Sequence, residues 1–61
     1  MMTYGEKYIA DYGMAAAVKR VEYLKNRAAE EIKRRCLRTA DNLIDEYDNI
    51  EKAIWRKENP A

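Results

Sequence analysis

The chain has 61 residues, one cysteine, no histidine and a formal net charge of +1. That length allows a single domain, and one thiol without histidine excludes an internal disulfide or a four-ligand zinc site. A domain this small buries only about 60 % of its unfolded surface, so association with other helices is an expected source of stability.

In chain order, Tyr4, Tyr8 and Tyr12 come first, at i, i+4 and i+8. They predict a short helix over about residues 3–12, capped by Thr3, ended by Gly13 and folding back onto the next helix. The tyrosine stripe lies about 110° out of phase with the later apolar residues at 100° per residue, which places a change of direction at Gly13. Glu6 and Asp11 in this segment are unlike the basic-then-apolar order of a secretory signal. With a single cysteine, a cytoplasmic protein is expected. The longest apolar run, Met14 to Val18, falls far short of the ~20 residues of a bilayer span, so no membrane partner is expected.

From Met14 to Asn59 there is neither glycine nor proline. Met14, Ala17, Val18, Val21, Leu24, Ala28, Ile32, Cys36, Leu43, Tyr47, Ile50, Ala53 and Ile54 fall within one arc roughly 140° wide on a helical wheel. That constant phase predicts one amphipathic helix over about 14–57, roughly 60 Å long. The alternative is a helical hairpin broken at 39–42. Thr39-Ala40-Asp41-Asn42 forms helix poorly, and Asn42 ahead of Asp45 and Glu46 also suits a helix start. The spacing changes nearby, since 28-32-36-40 runs in fours where the flanking segments step by three and four. Pro60 discourages helix in the residue before it.

Charge is segregated along this stretch. Residues 19–38 carry eight basic and three acidic side chains, and residues 39–51 carry five acids and no base. Like charges side by side cost a few tenths of a kcal/mol each, so the helical neighbours should run antiparallel, within one chain or between two. The predicted fold is therefore all-α, with antiparallel packing in a coiled-coil or four-helix-bundle-like homo-oligomer, most simply a dimer. Val21, Leu24, Ala28, Ile32, Cys36, Leu43, Tyr47, Ile50 and Ile54 are the candidate self-association residues. If two long helices pair antiparallel, the Cys36 thiols meet near the symmetry axis and crosslink on oxidation.

Catalytic equipment is sparse. Without histidine the usual general base at neutral pH is missing. The Asp41/Asp45 and Asp45/Asp48 pairs sit on the polar side as a solvated acidic face. No phosphate-binding glycine loop, nucleophile–base pair or cation-loop spacing occurs, so neither an enzyme nor a cofactor is expected. Arg20, Arg27 and Arg34 recur every seven residues with Arg38 beside them, a stripe suited to nucleic-acid phosphates. Glu30 and Glu31 lie within it, four residues before Arg34 and Arg35, where they favour intrahelical pairing. Leu37, Ile44 and Trp55 form a second apolar line on the flank, with Tyr8 a further candidate. They are the edge of a wide core or a strip for a partner protein, with Trp55 the natural anchor.

The length, the paired Met1-Met2 start, the helical layout and the lone Cys36 resemble the short accessory proteins of early regions in lambda-like temperate phages. That resemblance implies a regulator or adaptor acting by binding in a bacterial cytoplasm, with a host protein as a candidate partner. The leading expectation is a helical protein-interaction module. Its alternatives are a dimeric helical DNA- or RNA-binding protein using the arginine face, and a purely structural oligomerisation element.

Overall fold

The structure is a computed structural model that describes residues 2–60. These residues form three helices and no strand: α1 (Tyr4–Tyr12), α2 (Met14–Lys33) and α3 (Leu37–Glu58). The all-α class, the short first helix and the antiparallel packing are as the sequence predicts.

The start of α1 satisfies two of its free amides within its own first turn. Thr3 Oγ1 accepts from the Glu6 N–H at 3.2 Å, and the Glu6 carboxylate accepts from the Thr3 N–H at 3.0 Å. This reciprocal cap is typically worth about 1 kcal/mol. Gly13 ends the helix at φ 92° and ψ 163°, a region that side-chain-bearing residues avoid. Its N–H donates to the Ile9 carbonyl at 2.8 Å, and its own carbonyl accepts from Ala17 N–H at 3.1 Å. One residue thus closes α1 and opens α2 in a new direction, which lays α1 back over the hairpin of α2 and α3.

The long helix does not continue to residue 57. It breaks at Arg34–Cys36, ahead of the 39–42 segment, and Thr39 to Asn42 lie inside the first two turns of α3. The break is a helix C-cap in which Cys36 N–H donates to the Glu31 carbonyl at 2.8 Å and Arg35 N–H to the Ile32 carbonyl at 3.0 Å. That paired pattern requires a left-handed residue, normally glycine. Here Arg35 adopts it, at φ 64°. Without a glycine to announce the turn, only the run of fours at 28-32-36-40 marks it.

The constant apolar phase has a different cause from one continuous helix. Ala17, Val21, Leu24 and Ala28 point from α2 toward Ala40, Leu43, Tyr47, Ile50 and Ile54 of α3. At 100° per residue the two sets differ by only about 90°, less than one residue step, and merge into one broad arc. The core comprises Ile9, Ala17, Val21, Leu24, Ile50 and Ala53, with Tyr8, Met14, Leu43, Tyr47 and Ile54 packed against it. Ala28 and Ala40 are buried where the hairpin narrows toward its turn. Leu24 and Ile50 are the largest fully buried side chains, and each contributes about 1.5–3 kcal/mol by leaving water.

Charge segregation is resolved inside the chain. Arg20 of α2 pairs with Glu46 of α3 at 3.1 Å, and Lys25 pairs with Glu51 at 2.8 Å. Tyr4 Oη also donates to Glu46 at 2.8 Å, so one carboxylate ties all three helices together. Partial burial works against the Arg20 charge, but the Glu46 hydrogen bond and charge outweigh it and raise the guanidinium pKa. Tyr4, Tyr8 and Tyr12 form an aromatic column, with ring centroids 6.2 and 4.7 Å apart.

Candidate interaction face

The three-helix arrangement covers one side of the hairpin and leaves the other bare. Glu46 and Asn49 of α3 meet α1, through Tyr4 and Gly5. Leu37, Asp41, Ile44, Asp48, Glu51, Trp55 and Glu58 recur at i, i+4 and i+7 along the opposite flank of α3. Val18, Glu22, Lys25, Ala29 and Ile32 form the matching flank of α2 by the same spacing.

Two depressions lie on this open face. The first, of about 590 Å³, is near the free ends of the hairpin and includes Val18, Glu22, Lys25, Asp48, Glu51 and Trp55. The second, of about 470 Å³, is near the turn and is lined by Ile32, Leu37, Arg38, Ala40, Asp41 and Ile44. Large apolar side chains stand out of both: Trp55 is 63 % exposed, Leu37 65 % and Ile32 49 %. The predicted partner line of Leu37, Ile44 and Trp55 therefore does share one face. Tyr8 belongs instead to the aromatic column of α1. Lys25 and Glu51 bridge the middle of the face, and the Glu51 hydrogen bond raises the Lys25 pKa.

The candidate self-association residues divide. Val21, Leu24, Ala28 and Ile50 are buried within the chain, and Leu43, Tyr47 and Ile54 are partly buried against the same core. Ile32 remains open on the bare face. Cys36 is exposed at the hairpin tip, outside the core and far from the middle of any helix. The expected meeting of two Cys36 thiols at the centre of paired long helices is thereby corrected, because the chain turns at that residue.

The arginine stripe divides too. Arg20 is paired with Glu46, and Arg27 with Glu31 at 3.5 Å. Arg34 caps α2, while Arg38 stands on the first turn of α3. The turn creates a cluster the periodicity did not reveal. Lys33, Arg34, Arg35 and Arg38 are all exposed at one tip, and none forms an ion pair among the described residues.

Among the described residues, no His, Cys, Asp or Glu side chains are grouped to hold a metal ion. No described helix is long and apolar enough to cross a membrane. No protein-family model, curated protein or solved structure matches the chain.

Proposed function

We propose that this protein is a small helical interaction module that acts by covering a partner protein's surface with the open α2/α3 face, rather than by catalysis. The observation that carries this reading is the exposure of Trp55, Leu37 and Ile32 on one face beside two shallow depressions. Large exposed apolar patches rimmed by charge mark interaction sites, and tryptophan is enriched among the residues that dominate binding. A regulator or adaptor of a lambda-like phage, in a bacterial cytoplasm, is the setting the chain's style implies.

Affinity capture with tagged protein tests the reading. Wild type and a Tyr12→Ala variant, altered on the α1 side, should retain the same partner, and Trp55→Ala should lose it. Equal retention by Trp55→Ala, or capture of nothing, including an untagged copy of this chain, overturns it.

A second reading rests on the tip. Four exposed cations without carboxylate partners among the described residues suit a nucleic-acid backbone, at Lys33, Arg34, Arg35 and Arg38 in place of the stripe along α2. Four phosphate contacts would weaken binding on the order of 10²-fold between 50 and 200 mM salt. Binding that is absent or insensitive to salt ends this reading.

A further inference from the structure

We propose that the open face is covered by a second copy of this chain, in a two-fold dimer whose hairpins run antiparallel and whose Trp55 side chains each fill the turn-end groove of the other copy. This inference rests on the interaction-face reading and names its partner.

The face is polarised end to end. The depression beside Trp55 is lined by Glu22, Asp48, Glu51 and Glu58 against Lys25 and Lys52, a surplus of two negative charges. The groove at the other end is lined by Arg38 and Asp41, and it adjoins the turn that carries the exposed Lys33, Arg34 and Arg35. A parallel copy would set like ends together. An antiparallel copy sets the acidic end of each against the basic end of the other, which favours association and selects register.

Shape agrees with charge. Trp55 projects at one end, and the apolar groove of Ile32, Leu37, Ala40 and Ile44 is open at the other. A two-fold contact must be self-complementary, so a knob and a groove at opposite ends of one face satisfy each other twice. Placing Trp55 over the groove puts the axis near Asp48. The same register brings Glu58 of one copy opposite Arg38 of the other, and neither side chain has an ion pair among the described residues. Lys52 and Asp48, paired at 3.0 Å but well exposed, flank the axis and can re-pair across it.

Area is sufficient. The molecule measures 38 × 21 × 19 Å. A face about 30 Å long and 20 Å wide buries roughly 1,200 Å² between two copies, at the lower end of specific interfaces, so micromolar association is expected.

The single tryptophan and single cysteine supply a direct test. Within one chain Trp55 and Cys36 lie 19 residues apart, roughly 29 Å along α3. In the dimer, Trp55 of one copy lies near Cys36 of the other. A quencher on Cys36 of a Trp55→Phe protein should therefore quench Trp55 of added unlabelled protein in the micromolar range, while sedimentation equilibrium reports twice the chain mass. Arg38→Glu alone should weaken association about tenfold, and adding Glu58→Arg should restore it to within about threefold. Both positions are exposed, so circular dichroism of each variant should match wild type.

A monomeric mass throughout that range overturns the dimer, as does a dimer without quenching or without charge-swap rescue. Each outcome is separable from failure of the interaction-face reading, which fails only if Trp55→Ala retains its captured partner as well as wild type does, or if nothing at all is captured, this chain included.

Discussion

Asn49 Oδ1 accepts the backbone N–H of Gly5 at 2.8 Å, joining the first turn of α1 to the middle of α3. The bond supplies a partner to one of the amides left free at a helix start. It forms only because the two backbones approach closely. A Cβ at Gly5 would lie 2.4 Å from the Asn49 carbonyl oxygen.

Gly5→Ala should consequently undock α1. The obstruction is backbone, which no rotamer change relieves, so a loss of about 2–3 kcal/mol is expected. Hydrogen exchange should show α1 amides losing protection while the α2/α3 hairpin keeps its own. Gly13→Ala should also destabilise, by about 1–3 kcal/mol, for a different reason. Open space surrounds that position, but its φ of 92° strains any side-chain-bearing residue.

Glu46→Ala should cost about 1–2 kcal/mol in urea unfolding, since Tyr4 and Arg20 both lose their acceptor. Screening limits the ion-pair share, because the Arg20 and Glu46 side chains retain 36 % and 27 % of their exposure. Tyr4→Phe should cost less, as the ring stays and one hydrogen bond goes. Equal losses in the two variants would contradict a shared acceptor.

Arg35→Gly should raise stability by up to about 1 kcal/mol. Arg35 holds a left-handed conformation at φ 64°, where glycine has no Cβ to clash. A lower thermal midpoint for the variant would show that the arginine side chain contributes more than its backbone costs.

Leu24→Ala should remove about 2–5 kcal/mol, since Leu24 is 1 % exposed at the centre of the core. Leu37→Ala should change unfolding of the monomer by less than about 0.5 kcal/mol. If the second copy covers Leu37, its loss should appear in the concentration dependence of the midpoint instead.

Stability should decline at both pH extremes. Burial first, then the hydrogen bond to Glu46, raises the Tyr4 pKa above its ordinary 10.0. A proton held more tightly in the folded chain stabilises it below that value, and the contribution disappears as pH rises through the folded pKa. Lys25, raised above 10.5 mainly by its hydrogen bond to Glu51, acts in the same direction. Glu6 is lowered from 4.5 by its bonds to Thr3, so its contribution is present above that value and lost as pH falls through the folded pKa. Urea midpoints across pH should therefore show both limbs, with the alkaline one reduced in Tyr4→Phe and the acidic one in Glu6→Gln.

Local signals in the sequence determined a good part of this fold. Thr3 marks the start of α1, Gly13 marks the change of direction, and the 3.6-residue apolar period marks α2 and α3. Charge segregation determined that the neighbours run antiparallel, and the Arg20–Glu46 and Lys25–Glu51 pairs realise this within one chain. Each of these is a short-range pattern, set by the residues' own chemistry.

Where the long helix turns was decided only by tertiary structure. Packing α2 against α3 buries Leu24 and Ile50 together, and that gain outweighs the strain of Arg35 in a conformation usually reserved for glycine. The position of the turn then decided the surface. It moved Cys36 from a predicted helix centre to an exposed tip and gathered Lys33, Arg34, Arg35 and Arg38 around it. Because α1 is only nine residues long and docks through Gly5, it covers one side of the hairpin. Leu37, Ile44 and Trp55 are left together on the other. A residue's face on its own helix is legible from spacing, but which faces meet depends on where the chain reverses.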